Sequence, residues 1–114
     1  MPEEARIFLA EDDELNRNMF KLALEKDGHR VLLIAETLEE GLSLIPEAVE
    51  HQINLGVFDD RMPNKDDGKK LTEVIREAIP GIKIVSTSTG DVDYADIHTG
   101  KLPLSSILRA VKSL

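Results

Sequence analysis

Two kinds of apolar spacing divide this chain. Ile7-Phe8-Leu9-Ala10 is an unbroken apolar run, which predicts a strand over 6–10 of the sort buried inside a parallel sheet. After it, Leu15, Met19, Leu22 and Ala23 recur at helical spacing, with Phe20 and Leu24 widening the stripe. Asp13 suits the N-cap of that helix, Glu14 its first turn, and Lys26-Asp27-Gly28 its end. Residues 30–35 are a second strand. Thr37-Leu38-Glu39-Glu40 has the form of a capping box and opens a second helix, with Leu38, Leu42 and Ile45 on its inner face. Pro46 ends or kinks that helix, leaving a further turn over 47–51. Residues 53–58 make a third strand. A polar loop over 64–68 precedes a third helix, with Leu71, Val74, Ile75, Ala78 and Ile79 inward and Pro80-Gly81 as its stop. Residues 82–87 are a fourth strand, and 94–98 a weak fifth. The last helix carries Leu104, Ile107, Leu108, Val111 and Leu114, with Pro103 near its start.

Strands alternating with helices predict an α/β fold, a doubly wound parallel sheet covered on both faces with right-handed crossovers. Ligands of such open sheets bind beyond the carboxyl ends of the strands, where the strand order reverses. Two acidic tips fall at such ends, Glu11-Asp12 and Asp59. The hydroxyl cluster over 86–89 and Lys101 fall there too.

Composition narrows the possibilities. The 114 residues are enough for one domain, 1–114, with its own core. A net charge of -8, with no cationic stripe, argues against nucleic acid as a partner. The absence of cysteine excludes disulfides and thiolate metal sites. No apolar segment is long enough for a signal peptide or membrane span, so the expected location is cytoplasmic, with no membrane partner.

Carboxylates converging in one crevice repel one another unless a cation sits among them. A hard divalent ion such as Mg²⁺ takes such oxygen ligands. Asp is also a competent phosphoryl acceptor, and a lysine ammonium and a hydroxyl bind phosphoryl oxygens well. Each part has an ordinary structural reading as well. Glu11-Asp12-Asp13 resembles helix-capping acids, Asp59 a loop opener, the 86–89 hydroxyls turn residues, and Lys101 a solvated lysine. Their order along one chain favours the chemical reading. His29, His51 and His98 have no metal-ligand spacing.

The runs from Ile7 to Arg17 and from Phe58 to Pro63, followed by Asp67-Gly68, resemble the receiver domain of two-component response regulators over nearly the whole chain. The resemblance implies a flavodoxin-like, five-stranded sheet of order 2-1-3-4-5. It makes Asp59 the phosphoacceptor. It makes Glu11, Asp12 and Asp59, with the backbone carbonyl of Arg61, the Mg²⁺ ligands. Ser88 matches the switch hydroxyl, Thr87 being the competing register, and Lys101 the phosphoryl-binding lysine. His98 stands at the switch-aromatic position, with Tyr94 four residues earlier. A histidine kinase or histidine phosphotransfer protein is the implied donor, and an unnamed downstream protein the recipient of the signal. With no room for an output domain, the expected function is that of a stand-alone receiver that signals by protein contact or phosphorelay, a phosphoacceptor and not an enzyme.

The carboxyl-terminal third departs from the family. The stretch between Ser88 and Lys101 is too short for the usual helix, so the helix between strands four and five is expected to be missing or reduced to a turn. Leu102 separates Lys101 from Pro103, whereas the family proline follows the lysine directly and is usually cis. The alternative is a pseudo-receiver, a binding module that kept the fold and lost the switch. A hydrolytic metalloenzyme is a third reading, disfavoured because no general base is evident.

Overall fold

The computed structural model describes residues 4–88 and 92–114. Its strands are β1 (Arg6–Ala10), β2 (Arg30–Ala35), β3 (Leu55–Asp59), β4 (Lys83–Thr87) and β5 (Ile97–Thr99). Its helices are α1 (Glu14–Lys26), α2 (Leu38–Ser43), α3 (Ile45–Glu50), α4 (Asp67–Ala78) and α5 (Leu104–Lys112). The five strands form one parallel sheet in the order β2-β1-β3-β4-β5. This is the doubly wound, flavodoxin-like arrangement expected, with the order reversing between β1 and β3.

The sheet divides the core in two. Ile7, Leu9, Leu55, Val57 and Val85 pack with Phe20 and Leu24 of α1 and Ile107 and Val111 of α5. Phe8, Phe58 and Ile84 pack on the other face with Ala48 of α3 and Leu71 and Ile75 of α4. Phe8 and Phe58 meet edge to face, with ring centroids 5.5 Å apart. Adjacent residues of one strand serve opposite cores, so β1 and β3 must be apolar on both sides.

Local signals set the ends of the elements. Asp13 caps α1 by accepting the Asn16 N–H at 2.8 Å. Gly28 follows that helix with φ +96, a conformation that strains any residue with a Cβ. Thr37 caps α2 at Glu40 N, but the Glu40 side chain reaches back to Glu36 N and not to the cap itself. Pro46 lies in the first turn of α3, so the expected break falls at Leu44 and the turn beyond it is a helix.

Several expected positions differ. Leu15 and Leu22 are 68% exposed, and the buried residues of α1 are Phe20 and Leu24. The inner side of its first turn is polar, because Asn16 and Arg17 hydrogen-bond to Glu11. Leu42, Val74 and Ala78 are also exposed. β3 runs Leu55–Asp59 and so includes the acid that was expected to follow it. α4 starts at Asp67, within the expected polar loop. β5 is Ile97–Thr99, later than 94–98, because Asp96 uses both its backbone N–H and its side chain on Ile84 before pairing begins. Among the described residues no helix lies between β4 and β5, as the short link implied; Thr89, Gly90 and Asp91 lie outside them. The cis peptide at Leu102–Pro103 stands one residue later than the family pattern, and Met62–Pro63 is also cis. No described helix is long and apolar enough to cross a membrane.

Candidate functional site

Parallel strands β1 and β3 are neighbours, with Ala10 paired to Phe58. Glu11 therefore leaves β1 beside Asp59, the last residue of β3. Glu11 is fully buried and Asp59 is 3% exposed, whereas Asp12 stands in the open. One carboxylate oxygen from each of Glu11, Asp12 and Asp59 lies within 4.8 Å of the others. Lys101 reaches this cluster from the loop after β5. Its ammonium donates to Glu11 Oε1 at 2.8 Å and to Asp59 Oδ2 at 3.0 Å. Asn16 Nδ2 adds a bond to Glu11 Oε1 at 3.2 Å, and the Arg17 guanidinium donates to the Glu11 carbonyl at 3.1 Å.

The electrostatics follow from this burial. Desolvation pushes the Glu11 carboxyl up from 4.5 to about 7, although Lys101 pulls the other way, and Asp59 adds repulsion. Asp12, though exposed as a residue, is also raised, by partial desolvation beside the cluster first and then by the charge of Asp59. Burial acts to lower Lys101, but its bonds to Glu11 and Asp59 outweigh that and leave it raised. Two buried acids thus share one ammonium, with the carboxylate of Asp12 beside them. Glu11 Oε2 is buried and has no hydrogen-bond partner. A hard divalent cation fits this donor set, since it would take the orphaned oxygen and offset the surplus negative charge.

The remaining expected residues gather at the same edge of the sheet. The Arg61 N–H donates to Asp59 Oδ1 at 3.3 Å, which sets the Arg61 backbone against that acid. Thr87 ends β4 in register with Asp59 and is almost fully buried. Ser88 follows it, and its N–H donates to the Thr99 carbonyl at 3.2 Å, two residues before Lys101. His98, on β5, does not stand free. Its Nδ1 lies 2.6 Å from Ser86 Oγ, on the strand residue paired with it.

One contact was not foreseen from the sequence. The Tyr94 hydroxyl donates to Asp60 Oδ1 at 3.0 Å, beside Asp59. Burial, reinforced by the charge of Asp60, holds this phenol well above its usual range. Asp60 was visible only as the second acid of a pair, and nothing in the spacing linked it to a tyrosine far along the chain.

The backbone resembles several solved receiver domains. The signal receiver domain of NarL from Mycobacterium tuberculosis superposes with a TM-score of 0.79 at 22% identity, over 98% of this chain and 96% of that one. A response regulator receiver domain protein from Clostridium thermocellum gives 0.80 at 24% identity, covering 96% and 92%. The receiver domain of the hybrid histidine kinase CckA gives 0.79 at 25% identity, covering 95% and 96%. No curated protein sequence matches the chain. The family model of the response regulator receiver domain matches residues 7–100, most of the sheet and the entire acid cluster, and the chain belongs to that family.

Proposed function

We propose that Asp59 accepts a phosphoryl group from the phosphohistidine of a histidine kinase or phosphotransfer protein, and that the chain passes the signal on by protein contact. The observation that carries this reading is the Lys101 ammonium held between Glu11 and Asp59 at the switch point of the sheet. A carboxylate oxygen of Asp59 would attack phosphorus, and the P–N bond would break with its electron pair going to the imidazole. Lys101 holds Asp59 in place and stands ready for the phosphoryl oxygens. The Arg61 N–H fixes the other Asp59 oxygen. Ser88, or Thr87 in the other register, supplies the hydroxyl that follows the phosphoryl group. Glu11, Asp12, Asp59 and the Arg61 carbonyl would hold Mg²⁺, which supplies charge neutralisation at the phosphoryl oxygens when bound.

Acetyl phosphate tests this directly. The wild-type chain should gain a hydroxylamine-labile phosphoryl group only with Mg²⁺ present, and Asp59→Asn should gain none. Labelling of Asp59→Asn at the wild-type level would place the acceptor elsewhere.

A second reading, a pseudo-receiver that binds partners without switching, is favoured by one observation. His98, at the switch-aromatic position, is engaged by Ser86 within the sheet. A Mg²⁺-dependent acyl phosphate on the wild-type chain would exclude it as the sole function.

A further inference from the structure

The described residues 92–96 of the link between β4 and β5 are held at Tyr94 and Asp96. Near its far end, Asp96 accepts the Ile84 N–H at 2.8 Å and Arg76 Nη2 at 3.0 Å, while its own N–H donates to the Ile84 carbonyl at 2.9 Å. Arg76 also donates to the Tyr94 carbonyl, so one guanidinium of α4 holds two residues of the link. Nearer β4, the Tyr94 hydroxyl is aimed at Asp60. Gly68 makes that approach possible. A Cβ at 68 would lie 2.4 Å from the Asp59 carbonyl oxygen and 2.7 Å from the Tyr94 hydroxyl. The acceptor's backbone, a residue without a side chain, and the phenol are therefore packed against one another.

We propose that residues 92–96 form a strap that carries the state of Asp59 to the outer surface over α4, with Tyr94 as the positioning residue that joins the two. The proposal rests on the phosphoacceptor reading. Phosphorylation replaces the single charge of the Asp59 carboxylate with an acyl phosphate carrying about -1.5 to -2, a net gain of up to about one negative charge beside Asp60. The Tyr94 hydroxyl is a neutral donor already pointing at that anionic region, and the charge of Asp59 already acts on it. A donor dipole aimed at growing negative charge is held more strongly. Phosphorylation therefore tightens the strap, and Arg76–Asp96 transmits the change to α4. The task that a helix would otherwise perform falls to a short segment and one phenol.

Amide exchange at Asp96, followed by NMR with Mg²⁺ and with or without beryllofluoride, tests this on the full chain. In the wild type, beryllofluoride should slow exchange at Asp96 by roughly tenfold, the scale of one hydrogen bond to a charged group. In Tyr94→Phe, which removes a single oxygen, the amides of 59–62 should still shift on beryllofluoride, but the slowing should fall below about twofold on the same reasoning. Unchanged or faster exchange in the wild type with beryllofluoride bound would overturn the strap and leave the phosphoacceptor reading intact. So would equal slowing in Tyr94→Phe, because a merely structural phenol would alter both states alike. Absence of any shift at 59–62 in the wild type would defeat the phosphoacceptor reading and the strap with it. A second measurement needs no variant. Tyr94 is the only tyrosine and there is no tryptophan, so ultraviolet absorbance reports this phenol alone. Its absorbance band at neutral pH, where the phenol stays protonated, should shift when beryllofluoride binds, and an unmoved band would overturn the proposal.

Discussion

Glu11→Gln should stabilise the metal-free chain at pH 8 while abolishing its response to Mg²⁺. The wild-type carboxyl is fully buried, and holding its proton to about 7 instead of 4.5 disfavours the ionised form in the folded chain by roughly 3 kcal/mol. The sign follows from the raised value. Stability from this group is fully present below the unfolded value of 4.5 and is lost as pH rises through about 7. Glutamine is a neutral near-isostere whose Oε1 can still accept from Lys101, so it avoids that loss. Its amide NH2, in place of the second carboxylate oxygen, has to find its own partners in a buried site, which reduces the expected gain to about 2 kcal/mol. At pH 5 the wild-type carboxyl is already protonated and the gain should vanish. Urea unfolding of both proteins at pH 5 and pH 8, with and without Mg²⁺, measures all four quantities. Wild type should be stabilised by Mg²⁺ mainly at pH 8, because the ion binds only the native cluster. Glu11→Gln should gain little from Mg²⁺ at either pH. A variant less stable than wild type at pH 8 without metal would refute the reasoning, since the bond to Lys101 would then outweigh desolvation.

Three further outcomes follow from the same geometry. The Mg²⁺ affinity of the wild type, measured by calorimetry, should fall as pH drops below about 7, because Glu11 must release its proton before it can serve as a ligand; a flat profile from pH 5 to 8 would remove Glu11 from the ligand set. Gly68→Ala should cost on the order of 2 kcal/mol or more in urea unfolding, since its methyl would lie 2.4 Å from the Asp59 carbonyl oxygen with no flexible side chain there to yield; a neutral result would show that the close packing at Asp59 is not maintained in solution. Leu24→Ala should cost about 2–5 kcal/mol and Leu15→Ser within about 0.5 kcal/mol, as the first is buried and the second is 68% exposed; comparable losses would return Leu15 to the core.

Much of the fold was legible from spacing and caps. The apolar runs ending at Ala10 and Phe58 are buried on both faces, as their lack of alternation implied. Asp13 and Thr37 cap the helices they were expected to cap. The arc of α1 was misplaced for a physical reason. Leu15 and Leu22 extend the apolar stripe in sequence, but the inner side of the first turn faces Glu11 and is occupied by Asn16 and Arg17. Hydrophobic periodicity cannot mark a helix face whose near end lines a polar site. The late start of β5 was likewise hidden, because it depends on Asp96 bonding to Ile84, a contact between residues far apart in sequence.

The sequence by itself determined the order of strands and helices, their caps and stops, and which carboxylates stand at strand tips. These depend on interactions within a few residues, which the chain records as local pattern. The tertiary structure decided which of those groups meet. Lys101 reaches Glu11 across 90 residues and Asp59 across 42, distances that only the parallel register and the crossovers can close. It also decided that Asp60 belongs with Tyr94, because Gly68 leaves the space between them open. Sequence spacing carries no record of such contacts, which arise only when separate elements pack.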